Sequence, residues 1–217
     1  MILGMKTFNY LGLLLAGLTG ACHSAPDQHT QTVTKDTAVN TAAVKTVDSV
    51  LLIIPGKQVG RLYLGQNMKD VGKLLGRPDD GDAAMGSALG VWYSFDKKKK
   101  DGLKTNPLII FSSYRDSNMV VKDVKQISVS APGFSTAEGL HTGVRLAQLK
   151  VMYPSLKKTE SYVGKNNKDS LMVYDVIDKG IAFDIQKDVC TAITVHQEDK
   201  AVNAVYLTVH PEWKKIQ

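Results

Sequence analysis

The chain has 217 residues, of which 43% are hydrophobic, and it carries a formal net charge of +6 at pH 7. This length suits one large domain or two small ones, and the apolar content is sufficient for a buried core. The basic excess is mild and does not form the stripe typical of nucleic-acid-binding proteins, and two cysteines are too few for a disulfide framework.

The N-terminus has the pattern of a secretory signal peptide. Lys6 is followed by a short apolar run that ends in the small residues Gly20 and Ala21, directly before Cys22. The run is too short to cross a bilayer, which takes about 20 apolar residues. A basic start, a short apolar core and small residues before the cleavage point predict a signal peptide over residues 1–21.

The small residues before the cysteine resemble the lipobox of bacterial lipoproteins. In that family the signal peptide is removed and the cysteine is diacylated, which implies that Cys22 is the lipidated first residue of the mature chain. The resemblance implies anchoring to a bacterial membrane in the cell envelope, with the outer membrane favoured if the cell is Gram-negative. The alternative is an ordinary signal peptide that is cleaved near Ala21 or Ala25.

The segment 22–48 is rich in Thr, Ala, Asp and Gln and contains few large apolar side chains. Such a segment buries too little surface to offset the entropy of ordering it, so we predict a flexible tether. If Cys22 carries lipid, Cys190 has no disulfide partner. The strand-like surroundings of Cys190 predict a small buried side chain.

The rest of the chain repeats itself with a period of about 78 residues. The phrase Leu-x-x-Gly occurs at Leu62–Gly65 and again at Leu140–Gly143, and apolar residues follow each glycine at the third, sixth and ninth positions. Strand-like runs end at prolines with nearly the same spacing. These markers agree on one period and predict two tandem repeats, over residues 49–132 and 133–217.

Each repeat is predicted to be a short helix packed on an antiparallel sheet, which gives the α+β class. The apolar spacing places three side chains on one face of each helix, and a capping residue stands near each helix start. The first set is Met68, Val71 and Leu74 with the cap Asn67, and the second is Leu146, Leu149 and Met152 with the cap Thr142.

Seven strands are predicted, with a hairpin turn at Asp178–Gly180. Ser128 and Ser130 alternate with apolar residues, which predicts a sheet with one face exposed to water. The strands are Val91–Phe95, Leu108–Tyr114 and Val124–Ala131 in the first repeat, and Leu171–Ile177, Ile181–Ile185, Val189–His196 and Val205–Val209 in the second.

The Leu-x-x-Gly phrase, the short helix, the proline and the antiparallel strands together resemble two families. One is the small outer-membrane assembly lipoproteins of the SmpA/OmlA type. The other is the β-lactamase-inhibitory protein, whose two similar halves each lay a helical segment on a four-stranded sheet. The resemblance covers most of residues 50–212 and implies a protein-binding or scaffolding role. No position matches a binding motif of either family, so no functional residue is transferred.

Catalytic and metal-binding motifs are absent from the sequence, and no cofactor or metal site is predicted. There is no G-x-S-x-G, H-E-x-x-H or C-x-x-C motif. Asp79–Asp82 lacks the calcium-loop pattern and is predicted to begin a flexible loop that runs to Gly90. Metal-ligand residue types do occur near the C-terminus without the spacing of a zinc site, at Cys190, His196, Glu198 and His210.

Three aspartates, Asp175, Asp178 and Asp184, lie on or near one predicted hairpin. Two carboxylates held close together can perform acid–base hydrolysis. Aspartates on the exposed face of a strand explain the same residues more simply, and we favour that interpretation.

A candidate recognition surface consists of Trp92, Tyr93 and the four lysines Lys97, Lys98, Lys99 and Lys100. Neighbouring residues on a strand point to opposite faces, so the sheet buries at most one of the two aromatic side chains. The lysines predict a solvated hairpin tip or, alternatively, a contact with anionic lipid headgroups, where each lysine contributes about 1 kcal/mol.

Together these patterns favour a membrane-anchored envelope lipoprotein that acts as a non-enzymatic protein-binding or assembly module, with an envelope protein as its partner. Two alternatives remain open. One is an envelope hydrolase that uses the carboxylates of the second repeat. The other is a structural module on the lipid surface, which acts through Lys97–Lys100.

Overall fold

The structure, a computed structural model, describes residues 48–95 and 104–216. This part of the chain is α+β and mostly strand, with two sheets and two short α-helices, none of them long and apolar enough to cross a membrane. The helices are α1, Met68–Leu75, and α2, Leu146–Met152. The strands are β1, Leu52–Ile54; β2, Gln58–Val59; β3, Leu62–Tyr63; β4, Asp80–Ala84; β5, Ser87–Phe95; β6, Lys104–Tyr114; β7, Lys122–Val129; β8, Ser135–Thr136; β9, Lys157–Val163; β10, Ser170–Val176; β11, Ile181–Gln186; β12, Val189–His196; and β13, Lys214–Lys215.

The larger sheet has nine strands in the order β13-β9-β10-β11-β12-β7-β6-β5-β4, and every pair is antiparallel. Strands β4 to β7 form one meander and β9 to β12 form another. The last strands of the two meanders pair at the centre, where Ile127 lies opposite Val195 and Val129 opposite Ile193. This pairing joins both halves of the chain into one sheet.

The smaller sheet has the order β3-β2-β1-β8. Its β1–β8 pair is parallel, with Leu52 opposite Ser135, and its other pairs are antiparallel. Ile53, Val59 and Leu62 from this sheet are buried in the main hydrophobic core.

Both helices contribute to the same core on one face of the large sheet. Val71 of α1 and Leu149 of α2 are completely buried there, in one cluster with Ile127 and Phe183. Asn67 caps α1 as predicted, because its side chain accepts a hydrogen bond from the Lys69 N–H at 2.8 Å.

The predicted helix faces are only partly correct. Leu74 is 42% exposed and Met152 is 44% exposed, although both were expected to face the sheet. A step of three residues falls about 60° short of a full turn, so the third position has rotated about 120° away from the first. Thr142 does not cap α2, which begins after Arg145; there the Gln148 side chain accepts a hydrogen bond from the Arg145 N–H at 3.0 Å.

Strands β4 and β9 of the large sheet were not predicted, and neither were the short strands β2, β3, β8 and β13. The predicted flexible loop from Asp79 to Gly90 is instead the hairpin of β4 and β5, in which Asp82 lies opposite Leu89. Aspartate, glycine and alanine have low strand propensity, so β4 depends on its pairing with β5 and lies at the sheet edge. The turn predicted at Asp178–Gly180 is confirmed, with Gly180 in the left-handed conformation.

Candidate functional site

The face of the large sheet opposite the helices lies against the C-terminal segment, residues 199–213, which we call the strap. Three strap side chains pack against the first meander: Val205, Leu207 and Val209 join the cluster formed by Leu89, Val91 and Phe111. Val202 and Trp213 pack instead against the second meander, in the cluster that contains Tyr162, Leu171, Val173 and Ala182. The chain then ends in β13, which pairs with β9.

The predicted strand Val205–Val209 is wrong, because these residues form no strand in the structure. The alternation that suggested a strand is nevertheless present: the valines and the leucine are half-buried, whereas Tyr206 and Thr208 are exposed. The period of two arises because the segment lies across the sheet face and its side chains point alternately toward the sheet and toward solvent.

The strap covers polar side chains at the centre of the sheet. Gln126, Ser128, Thr194 and His196 are all at least 96% buried, and the Gln126 amide donates a hydrogen bond to the Val202 carbonyl at 2.6 Å. The serine pattern predicted a face exposed to water. That prediction is wrong for Ser128, because the strap packs on this face.

Asp175 and His196 form a buried pair beneath the strap. The Oδ1 atom of Asp175 lies 2.9 Å from Nε2 of His196, and its Oδ2 atom accepts a hydrogen bond from the Val202 N–H at 2.8 Å. Nδ1 of His196 lies 3.0 Å from the Gln197 carbonyl oxygen. Both carboxylate oxygens of this completely buried aspartate are therefore occupied, and the pair ties β10 and β12 to the strap.

A second pair joins β11 to the strap. Nε2 of His210 lies 2.7 Å from Oδ2 of Asp184, and the Tyr162 ring packs beside the imidazole at a centroid distance of 4.9 Å. Burial alone would lower the pKa of His210, but the carboxylates of Asp184 and Glu160 outweigh it and raise that pKa above its ordinary value. Nδ1 of His210 is buried without a hydrogen-bond partner within the described residues.

The end of the strap is held at β9, the neighbour of the edge strand β13. The Tyr162 hydroxyl donates a hydrogen bond to Glu160 at 2.7 Å, and the Lys215 ammonium contacts the other oxygen of the same carboxylate. Burial raises the pKa of Tyr162 to about 12, so it remains a neutral donor at physiological pH.

An open cavity of about 500 Å³, which we call the cleft, lies between the strap and the sheet. Its wall combines apolar side chains such as Leu89, Val91 and Leu207 with the aromatic rings of Tyr93 and Trp213. Four carboxylates also line it, those of Asp80, Asp82, Asp184 and Glu212.

The two aromatic residues of the predicted recognition surface point to opposite faces of the sheet. Trp92 packs against the helix-side core and donates an indole hydrogen bond to the Gly76 carbonyl at 3.3 Å. Tyr93 lines the cleft. Lys97–Lys100 lie outside the described residues.

The expectation of three exposed aspartates is correct only for Asp178, which accepts a hydrogen bond from the Ser155 hydroxyl at 3.0 Å. Asp175 and Asp184 are buried. The register makes them diagonal neighbours on one face, about 7–8 Å apart. Only Asp184 lines the cleft, however, and both oxygens of Asp175 are occupied. This arrangement does not support hydrolysis by a pair of these carboxylates.

Cys190 is buried as predicted, and burial raises the pKa of its thiol to about 12. It was expected to share a face with His196 if β12 were continuous. Instead, the β11–β12 register shifts by one residue, so that Cys190 packs in the helix-side core while His196 lies beneath the strap. Within residues 48–95 and 104–216, no three His, Cys, Asp or Glu side chains come close enough together to hold a metal ion.

We predict that the strap docks more tightly at acidic than at alkaline pH. Since the pKa of His210 is raised on folding, its contribution is fully present below about pH 6.5 and is lost as the pH rises through the folded-state value. Asp184, Glu160 and Tyr162 are the titratable groups that face the ring. Hydrogen exchange of the strap amides, corrected for intrinsic rates, should accelerate between pH 6.5 and 9 relative to that of β12.

The variant His210→Gln supplies the control for this prediction. It should lose the pH dependence of strap protection and exchange at all pH values like the wild-type chain at alkaline pH. Equal pH dependence in the variant and the wild type would contradict the assignment to His210.

Comparison of the chain with protein-family models, with curated proteins and with solved structures gives no match. The resemblance to the SmpA/OmlA-type lipoproteins and to the β-lactamase-inhibitory protein therefore rests on the Leu-x-x-Gly phrase and its surroundings alone.

Proposed function

We propose that this protein is a lipid-anchored, non-enzymatic binding module of a bacterial cell envelope, with an envelope protein as its partner. The observation that carries the proposal is the cleft, whose wall mixes apolar, aromatic and charged side chains. Cavities of about 300–1,000 Å³ with such mixed walls are the usual binding sites of small molecules and partner side chains.

The ionisable groups of the strap face support binding rather than catalysis. Asp175 and His196 are fully engaged with each other and with backbone groups. The Asp184–His210 pair has the first half of a catalytic triad, but a triad needs a hydroxyl or thiol nucleophile on the second ring nitrogen. Nδ1 of His210 has no such partner in the described part of the chain.

The anchor is supported by the sequence alone. Cys22 and the small residues before it lie outside the described residues, and the tether leads to the body, whose first described residue is Asp48. A lipid on Cys22 would hold the module at a membrane, in the same compartment as an envelope partner.

We also propose that the body consists of two tandem repeats, and matching backbone contacts support this. The Gly65 N–H donates to the Val124 carbonyl and the Gly143 N–H donates to the Cys190 carbonyl, both at 2.8 Å. The return bonds match too, since the N–H groups of Val124 and Cys190 both donate at 2.9 Å to the carbonyl of the residue after the glycine. Each glycine thus docks the start of its helix onto the last strand of its own meander.

If the two repeats are equivalent, replacing either glycine by alanine should lower the free energy of unfolding by the same amount. Both have positive φ, 80° at Gly65 and 101° at Gly143, and a Cβ would meet little or nothing at either. Gly65→Ala and Gly143→Ala should therefore each lower the free energy of unfolding by about 1 kcal/mol or more, through backbone strain alone. Urea unfolding measures both values.

The matched control is Gly72, which lies inside α1 with open space around it. Gly72→Ala should stabilise the protein by about 0.5–1 kcal/mol, because alanine is the better helix former. A loss of stability on replacing only one of Gly65 and Gly143 would count against equivalent roles for the two glycines in their repeats.

The anchor is tested by Cys22→Ala in the native host. The variant should move from the membrane fraction to the soluble fraction, because it has no cysteine at position 22 to carry the lipid. Metabolic labelling with a palmitate analogue should mark the wild-type chain and leave the variant unlabelled. An unlabelled wild-type chain, or a variant that stays with the membrane, would refute the lipid anchor.

The binding role is tested by a photo-crosslinking amino acid in intact cells. At Thr208, an exposed residue of the cleft wall, we expect a discrete cross-linked product with one envelope protein. The control position is Val151 of α2, which is 81% exposed and does not line the cleft. The same products from both positions, or none from Thr208, would contradict a partner at the cleft.

A further inference from the structure

The charge of the cleft wall is opposite to that of the whole chain. The formal net charge is +6, yet the described residues that line the cleft include four carboxylates and no lysine or arginine. Asp80 and Asp82 lie on the exposed edge strand β4 and form no ion pair with another described residue. Within the described residues, their carboxylates accept hydrogen bonds only from the N–H groups of Gly81 and Ala83. Glu212 is paired with Lys165 at the exposed end of the wall.

His210 adds an unused hydrogen-bonding group to the same wall. Its side chain is only 9% exposed, its Nε2 is held by Asp184, and its Nδ1 has no hydrogen-bond partner within the described residues. Leaving a buried polar atom unpaired costs about 1–3 kcal/mol, a cost that an occupant able to hydrogen-bond to Nδ1 would remove. In the protonated ring Nδ1 is a donor and in the neutral ring that donates from Nε2 it is an acceptor, so a peptide group, which carries both a carbonyl and an N–H, suits either state.

The aromatic part of the wall already has an ammonium group beside it. Nζ of Lys104 lies 4.8 Å from the centroid of the Tyr93 ring, which is a cation–π distance. Burial and the carboxylates of Asp80, Glu212 and Asp79 raise the pKa of Tyr93, in keeping with a negative potential at this ring. Trp213 supplies a second aromatic side chain to the wall, next to apolar residues.

We propose that the cleft binds an organic cation, an ammonium or guanidinium group on an apolar stem with a peptide group beside it. A lysine or arginine residue in an extended peptide has this chemistry: the charged group meets Asp80 and Asp82, the stem packs between the aromatic and apolar walls, and a backbone peptide group faces His210. This inference rests on the proposed binding function and names its ligand class. A free polyamine shares the cationic part and lacks the peptide group.

The test is an NMR titration of the purified full chain with the peptide acetyl-Leu-Lys-Leu-amide. The indole N–H of Trp213 should shift, whereas that of Trp92, which packs on the helix side of the sheet, should not. The uncharged peptide with norleucine in place of lysine should bind about tenfold more weakly or worse, a difference of about 1.4 kcal/mol. Weaker binding of 1,5-diaminopentane than of the lysine peptide assigns the site to a peptide, and equal binding assigns it to a free amine.

Matched variants identify the carboxylates responsible. Asp80→Asn with Asp82→Asn should weaken the lysine peptide about tenfold and reduce the salt dependence of its binding. Asp70→Asn with Asp116→Asn removes the same charge from exposed positions that do not line the cleft and should change the affinity less than twofold.

Equal affinities for the lysine and norleucine peptides, no binding of either, or an unchanged affinity in the Asp80/Asp82 variant would each overturn the inference. The proposed binding function has its own readout. If Thr208 yields a cross-linked partner but the cleft does not bind the cationic peptide, the proposed binding function is supported and only the proposed ligand class is refuted.

Discussion

The large sheet has two faces that must both be covered, and the described part of the chain provides helices for only one of them. The pairing of β7 with β12 fuses two meanders into a single nine-stranded sheet. Val71 and Leu149 bring the two short helices into the core on one side. The opposite side needs a different cover, and the strap supplies it with alternating apolar side chains rather than with a third layer of regular structure.

A cover of this kind must also satisfy the polar groups that it buries. Buried carboxylates are stable only when they are paired, and the structure pairs Asp175 with His196 and Asp184 with His210. The strap is held at both pairs, because the Val202 N–H donates a hydrogen bond to Asp175 and the His210 ring contacts Asp184. Among the described residues, Oε1 of Gln126 and Nδ1 of His210 are buried without a hydrogen-bond partner. Of these two residues only His210 lines the cleft, so one of the unsatisfied atoms belongs to a residue of its wall.

Local sequence patterns predicted the elements that depend on neighbouring residues or on a strongly periodic arrangement of apolar side chains. The cap at Asn67, the turn at Gly180, the buried Cys190 and most central strands belong to this group. The patterns failed where distant parts of the chain decide the outcome. The polar strand β4 exists because β5 pairs with it, and a register shift next to Asp184 separates Cys190 from His196. The buried aspartates did leave a signal, since Asp175 and Asp184 interrupt strands that are otherwise largely apolar. Their histidine partners lie 21 and 26 residues away, and nothing local indicated the pairing.

The two meanders differ most on the face that carries the cleft. On the helix side, Gly65 and Gly143 make the same backbone contacts with the last strand of their meanders. On the strap side, the first meander lines the cleft with the apolar residues Leu89 and Val91 and with Asp80 and Asp82, which form no ion pair with another described residue, whereas Asp184 of the second meander is already paired with His210. A single strap spans both and contributes His210 and Trp213 to the wall of the cleft. The apolar side chains and the unpaired carboxylates of the cleft therefore lie side by side on one meander, and a ligand with an apolar stem and a cationic end matches that arrangement.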